Sequence, residues 1–363
     1  MNCHAILIAT DPACQRSLAT LTVLDRLALA AHQAGVESIV VIHDDVPPPM
    51  VRCRELGIEI EFSVHRPRIV RPTLLIAGNL IVQPDDLKKV MAEGGRLCAA
   101  DKALLPCGIT REWSGDLDAS LAAKPLVIAK DTASWVKDDL TAAQAEDALW
   151  ETMRRETDSS IDRHFNRPLA RPLARGLAHT PVSPNVVSVL ATVVGVAAAW
   201  FISRGEPQWM ILGALILQLA AVLDCADGDL ARMRHRETAT GKWLSFTGRR
   251  LGQLCLFAGL GVGLHQMHGQ AGPWLWLGLA GVIGGVIALV VELRVQPHHP
   301  TPPAWLVHLA VQRDYTLPLL ALAVVNRTEW FLWAGVILVH ALWLLTVRAR
   351  RTEQPGAAAG EAA

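Results

Sequence analysis

Between Val186 and Val347 the chain carries six apolar runs in succession: Val186–Ile202, Trp209–Leu223, Leu251–Leu264, Pro273–Leu293, Tyr315–Val325 and Trp330–Val347. A helix crossing the hydrocarbon core of a bilayer needs roughly 20 apolar residues. Several runs reach that length only if each helix continues into its flanks, and the fifth, interrupted by Pro318, is the weakest. Tryptophans stand at several ends (Trp200, Trp209, Trp274, Trp276, Trp330, Trp333), where an amphipathic ring suits the membrane–water boundary. A buried bundle in a soluble protein would also produce apolar runs, but six of them with aromatic ends point to an integral membrane domain.

The basic residues between the runs alternate. Arg163, Arg167, Arg171 and Arg175 precede the first run. Arg232, Arg234, Arg236, Lys242, Arg249 and Arg250 lie between the second and third, Arg294 and Arg313 flank the loop before the fifth, and Arg348, Arg350 and Arg351 follow the last. The intervening loops, near Arg204, His268 and Arg327, are short and nearly free of Lys and Arg. By the positive-inside rule both termini are cytoplasmic, which needs an even number of spans, here six, in a bacterial-type inner membrane.

Residues 1–149 have a different texture and read as a soluble α/β domain. His4–Ala9, Ser38–Ile42, Thr73–Ala77 and Leu126–Ala129 are strand-like, Ser17–Ala34 has helical periodicity ending at Gly35, and Gln83-Pro84-Asp85-Asp86 opens a helix with acidic residues in its first turn. Strands alternating with helices imply a mostly parallel sheet. Residues 150–185 form a linker with amphipathic juxtamembrane helices, 186–348 the membrane domain, and 349–363, rich in Ala and Gly, an expected disordered tail. The 34 Lys+Arg balance 34 Asp+Glu, which argues against a broad basic surface for nucleic acid. Seven scattered cysteines without a C-x-x-C pair argue against a zinc finger or disulfide framework. The N-terminus has no basic segment ahead of an apolar run, so no cleavable signal peptide is expected.

Leu223-Asp224-Cys225-Ala226-Asp227-Gly228-Asp229-Leu230-Ala231-Arg232 places three carboxylates where the second run meets the cytoplasm. Ionisable groups at such a boundary are costly and mark functional candidates. A spacing of three sets Asp224 and Asp227 on one helical face, suited to a shared divalent cation, and Gly228 would let a substrate phosphate approach closely. The plainer alternative is a helix-terminal acidic cluster paired with Arg232 and Arg234.

At these residues the chain resembles the CDP-alcohol phosphatidyltransferase family, whose signature is D-x-x-D-G-x-x-A-R, eight residues, G, three residues, D, three residues, D. Asp224, Asp227, Gly228, Ala231, Arg232 and Gly241 fall in register. Upstream, Asp158 before Asn166-Arg167 and Thr180-Pro181-Val182-Ser183-Pro184-Asn185 resemble the family's juxtamembrane segment and entry to the first span. The resemblance is greatest to the fused inositol-1-phosphate cytidylyltransferase/di-myo-inositol phosphate phosphate synthase group. It implies transfer of a substituted phosphate from a CDP-linked donor to an alcohol with release of CMP, a membrane-lipid partner, a homodimer, and substrate-binding roles for Asn185, Gly228, Ala231, Arg232 and Gly241. It also implies four Asp holding two Mg2+ or Mn2+ ions, the last Asp serving as base. Here the third position is Ser245 and the fourth Arg249. Asp224 and Asp227 remain as metal ligands, at most one cation is expected to bind tightly, and no catalytic base is intact, because a guanidinium stays protonated.

The first 130 residues resemble, more weakly, a sugar-phosphate nucleotidyltransferase, through the strand–loop–helix start and Ala34-Gly35-Val36-Glu37-Ser38-Ile39-Val40-Val41. The phosphate loop there should be glycine-rich and basic so that backbone N–H groups cradle a nucleotide. Here it is Thr10-Asp11-Pro12-Ala13-Cys14-Gln15-Arg16. Asn79 replaces the expected metal-binding Asp, and Arg16 reads either as a phosphate contact or as a surface residue. The fold class expected is thus an N-terminal nucleotidyltransferase-like α/β domain plus an all-α six-helix membrane domain. Two functions compete: a degenerate member of phospholipid or inositol-phosphate-like headgroup synthesis, and an active phosphotransferase with unusual metal chemistry. A transporter-like bundle is weaker, because charges within the spans are few.

Overall fold

The computed structural model describes residues 3–69, 71–113, 115–130, 132–153, 159–269, 272–294 and 313–357. Asp158, singled out above, lies outside them, as does the end of the tail. The chain divides into two compact units, Met1–Met153 and Arg154–Ala363.

The first unit is built on strands β1 (His4–Ile8), β2 (Ser17–Leu18), β3 (Leu21–Thr22), β4 (Ser38–Ile42), β5 (Ile60–Ser63), β6 (Thr73–Ala77), β7 (Leu80–Ile81), β8 (Arg96–Cys98), β9 (Leu104–Thr110), β10 (Leu126–Ile128) and β11 (Ser134–Trp135). Seven form one sheet in the order β10-β8-β9-β6-β1-β4-β5. β1 lies parallel to both β4 and β6, and β9 alone runs antiparallel to its neighbours. Helices α1 (Val23–Gln33), α2 (Val51–Glu55), α3 (Pro84–Glu93), α4 (Leu117–Leu121) and α5 (Asp139–Thr152) accompany it. The core gathers Leu7, Leu24, Leu27, Val41, Leu74, Ile76, Leu87 and Leu97, all essentially inaccessible. A sheet buried on both faces explains why its central strands read as continuous apolar runs.

One expectation fails locally. The helical pattern assigned to Ser17–Ala34 begins as a hairpin, β2–β3, with Ala19 and Thr20 in the left-handed region (φ 46° and 78°). The buried Arg26 guanidinium donates to Leu18 O at 2.6 Å, and Thr22 then caps α1 by accepting from Asp25 N at 3.0 Å. These contacts outweigh the propensity of Leu18 and Leu21 to extend the helix.

In the second unit, α6 (Arg167–Ala178) follows a widened turn over Asp162–Asn166. Pro168 has no N–H to donate to His164, and the Arg167 N–H instead reaches back to Asp162 O. Then come α7 (Pro184–Ile202), α8 (Pro207–Met233), α9 (Ala239–His268), α10 (Trp274–Arg294), α11 (Thr316–Val324) and α12 (Thr328–Ala357). Small residues let these helices touch backbone to backbone, as membrane bundles do without a hydrophobic driving force between spans. A β-carbon on Gly259 would stand 2.4 Å from Ala199 O, joining α9 to α7, and one on Gly278 would stand 2.8 Å from the Gly261 α-carbon, joining α10 to α9.

Among the described residues four helices, α7, α8, α10 and α12, are long and apolar enough to cross a membrane. The run expected as the third span lies within α9, a 30-residue helix whose first half carries Lys242, Arg249 and Arg250. The fifth, α11, has nine residues, about 14 Å at 1.5 Å per residue, and 295–312 ahead of it lie outside the described residues. The last helix runs to Ala357, into the segment expected to be a tail.

Candidate functional site

The last turns of α8 bring Asp224 and Asp227 to one face, opposite the first turns of α9. Thr238 caps α9 by accepting from Gly241 N at 3.0 Å. A β-carbon on Gly241 would stand 2.8 Å from Asn185 Oδ1 at the start of α7. Glycine is therefore what allows α9 to begin against Asn185. One turn on, Ser245 Oγ donates to Asp224 Oδ1 at 3.1 Å and lies 3.3 Å from Asp227 Oδ2. One turn further, Arg249 Nη1 donates to Asp224 Oδ2 at 3.3 Å. Asp227, 4% exposed, also accepts from Ser188 Oγ on α7. Asp224, Asp227, Ser245 and Arg249 are thus brought into one cluster, with Ser188 added. Nothing in the sequence marked a serine in an apolar run 39 residues before its partner.

Asp229 faces elsewhere. It pairs with Arg167 of α6 and with Arg232 of its own helix, and both Asp229 and Arg167 are more than nine-tenths buried. Arg234 turns to main-chain carbonyls: Val182 O at 2.5 Å, Leu177 O at 2.7 Å, Ala178 O at 3.1 Å and Thr180 O at 2.5 Å. It thereby closes the C-terminal end of α6 and the Thr180–Val182 turn. Burial pushes its pKa down, with Arg236 adding to the effect. Of the two arginines expected to pair with the acidic cluster, Arg232 does so through Asp229, whereas Arg234 serves the backbone.

A cavity of about 380 Å³ opens over the cluster, lined by Asn185, Asp224, Asp227, Gly228, Ala231, Gly241, Ser245 and Arg249. Its wall also carries Arg232, Arg236, Lys242 and Arg250 as cations and Asp162, Glu237 and Glu292 as anions. Arg250 is ion-paired with Glu292 of α10. A β-carbon on Gly228 would meet only the end of Arg232, at 3.4 Å, so packing does not demand glycine there. What its missing side chain leaves open is cavity wall. The residues do not fit a pair of divalent cations. Among the described residues no three His, Cys, Asp or Glu are grouped so as to hold a metal, and Asp224 already carries a guanidinium on one oxygen and a hydroxyl on the other. Two carboxylates support at most a single ion.

In the first unit the loop after β1 is a 3₁₀ turn, Pro12–Gln15, capped by Asp11, whose Oδ1 accepts from Ala13 N at 2.8 Å. Asn79, 3% exposed, donates to Asp11 Oδ2 at 3.0 Å and accepts from Trp135 Nε1 at 3.0 Å. Both ends of its amide are thus engaged. Cys14 packs under Gly78, where a β-carbon would be 2.9 Å from its sulfur, and burial pushes the thiol up to about 12. Arg16 is ion-paired with Asp139 at the start of α5. The loop is closed by its own side chains and presents a carboxylate where a phosphate cradle would present donors.

Residues 181–347 match the family model for CDP-alcohol phosphatidyltransferase. The chain is 28% identical over 295 residues to a bifunctional IPC transferase and DIPP synthase of Rubrobacter xylanophilus, a match covering 71% of this chain and 66% of that protein, just under two thirds of its length. Crystal structures of phosphatidylinositol phosphate synthase from Mycobacterium tuberculosis are also similar. The apo form is 22% identical, covering 48% of this chain and 94% of that one with a TM-score of 0.37. The form with manganese and citrate is 21% identical, covering 49% and 88% with a TM-score of 0.37. The form with CDP-DAG bound is 22% identical, covering 50% and 94% with a TM-score of 0.36. With its apolar helices, the chain is an integral membrane protein whose residues 181–347 form a domain matching the family model for CDP-alcohol phosphatidyltransferase.

Proposed function

We propose that the protein is a degenerate member of its family, one that keeps a cavity for a CDP-linked donor but does not transfer the substituted phosphate. The observation carrying this reading is the Arg249–Asp224 ion pair with Ser245 beside it. Where the resemblance calls for a third ligand and a base, the cluster offers a neutral hydroxyl and a permanent cation. A guanidinium, protonated throughout the physiological range, does not accept the acceptor alcohol's proton at neutral pH. Asp224 and Asp227 would hold one Mg2+ or Mn2+ at most, which would polarise a diphosphate oxygen when bound. Purified full-length protein in lipid, given CDP-diacylglycerol or CDP-inositol with either ion, should release no CMP above the uncatalysed rate. Sustained release would overturn the reading.

A second reading, an active phosphotransferase, draws on Glu292. Its carboxylate lines the cavity and is 39% exposed even while paired with Arg250. On that reading Glu292→Gln would abolish a CMP release that the wild type shows.

The same proposal includes six spans with both termini cytoplasmic in a bacterial-type inner membrane, a homodimer, and a membrane-lipid substrate or product. Single cysteines introduced at His268 and Arg236 should label from opposite sides of sealed vesicles. Equal labelling from the cytoplasmic side would refute the topology.

The first unit is proposed to be nucleotidyltransferase-like without the activity. The Asp11–Asn79–Trp135 network fills the place of a phosphate and metal site, and Asp11 would repel a triphosphate. Titration of the full chain with CTP and Mg2+, with the membrane cavity blocked by CDP, should show binding no tighter than millimolar. Tight, Mg2+-dependent binding would contradict this.

A further inference from the structure

We infer that the membrane cavity binds a diphosphate ester without a divalent cation, Arg249 supplying the positive charge from within the chain. The inference rests on the donor-site reading above and deepens it. Arg249 leaves α9 one turn beyond Ser245 and reaches Asp224 through a single nitrogen, Nη1, at 3.3 Å. Its side chain is 40% exposed and lines the cavity. A guanidinium has five N–H donors in a planar fork, so one bond to Asp224 fixes its position while its other edge can chelate two oxygens of a diphosphate. Asp224 thus does for Arg249 what it would do for a metal ion: it holds a cation at the floor of the cavity.

The surroundings match this role. Arg232, Arg236 and Lys242 lie on the same wall, reached from the end of α8 and the start of α9, with Arg232 ion-paired to Asp229 and Lys242 to Glu237. Ser188 donates to Asp227, and the Ser245 hydroxyl stands 3.3 Å from it, so the carboxylate is satisfied without added charge. Gly228 leaves the wall open beside Arg232. With Arg167 and Arg250 the lining holds six cations against five carboxylates, Asp162, Asp224, Asp227, Glu237 and Glu292. A nucleoside diphosphate and a lipid-linked CDP ester share this chemistry, and the two are told apart by whether free CDP alone suffices.

The test is calorimetric titration of full-length protein in nanodiscs with CDP and, separately, with CDP-diacylglycerol, in EDTA and in Mg2+. CDP should bind in EDTA with a Kd within about threefold of that in Mg2+. Loss of a charge-assisted hydrogen bond in Arg249→Ala should weaken binding in EDTA by about ten- to a hundredfold. Arg249→Lys, which keeps the charge but not the fork, should recover only part of the affinity that Arg249→Ala loses. Binding of the lipid-linked ester alone, still in EDTA and still dependent on Arg249, supports the inference with the lipid as source. Binding of either ligand only in Mg2+, undiminished in Arg249→Ala, overturns the inference and leaves the donor site standing. No binding of either ligand in either condition overturns both.

Discussion

The double variant Ser245→Asp/Arg249→Asp should bind a second divalent cation that the wild type refuses. Arg249 sits on Asp224, so any ion entering there meets a fixed positive charge. Two unit charges about 4 Å apart interact by roughly 4 kcal/mol at an effective dielectric of 20, about three decades in affinity before screening. Removing that charge and adding two carboxylates on the face that already meets Asp224 and Asp227 restores both the ligands and the sign of the field. CMP release should appear with it, because the new carboxylate at position 249 can take a proton. Arg249→Asp alone should gain metal affinity before it gains turnover, since position 245 still offers only a hydroxyl. Metal binding is read by equilibrium dialysis and CMP by chromatography. A double variant with unchanged stoichiometry would show that the cluster is not a disabled metal site.

Asp229→Ala should be the most destabilising single change near the cavity. Asp229 joins Arg167 of α6 to Arg232 of α8, and both Asp229 and Arg167 are nearly inaccessible. Breaking a buried pair by removing one partner costs about 3–5 kcal/mol, because the remaining charge stays desolvated. Here the Arg167 and Arg232 guanidiniums would both lose this carboxylate. The variant should unfold at markedly lower temperature in detergent, and Asp229→Leu with Arg167→Met should lose less than Asp229→Ala, because it removes one of the two charges and fills the space. An unchanged transition for Asp229→Ala would mean that water reaches the pair.

Much of this was legible in the residues. Strands at Ser38–Ile42 and Thr73–Ala77 follow directly from β-branched and aliphatic runs, and Gly35 at φ 90° ends α1 where the pattern stops. The hairpin at Ser17–Thr22 did not show, because its turn uses Ala19 and Thr20 rather than glycine or asparagine, and the stabilising Arg26 contact is a tertiary one. In the membrane unit the helical repeat of three to four residues put Asp224 with Asp227 and Ser245 with Arg249 on single faces, and the resemblance implied that the two faces meet. Their partners were invisible. Ser188 sits in an apolar helix, Arg167 is 62 residues from Asp229, and Asn79 reads as a lost ligand until Asp11 and Trp135 are seen to occupy it. Contacts between elements carry no local pattern, so chemistry set by one helix is readable and chemistry set by three is not.

The central claim, that Arg249 stands in for a cation, is tested most directly by counting manganese. Full-length wild-type protein, stripped of metal and titrated with Mn2+ while free ion is followed by electron paramagnetic resonance, should bind no more than one ion per chain tightly, and that one weakly coupled to CDP. Two tightly bound ions per chain, with Arg249 intact, would contradict the account.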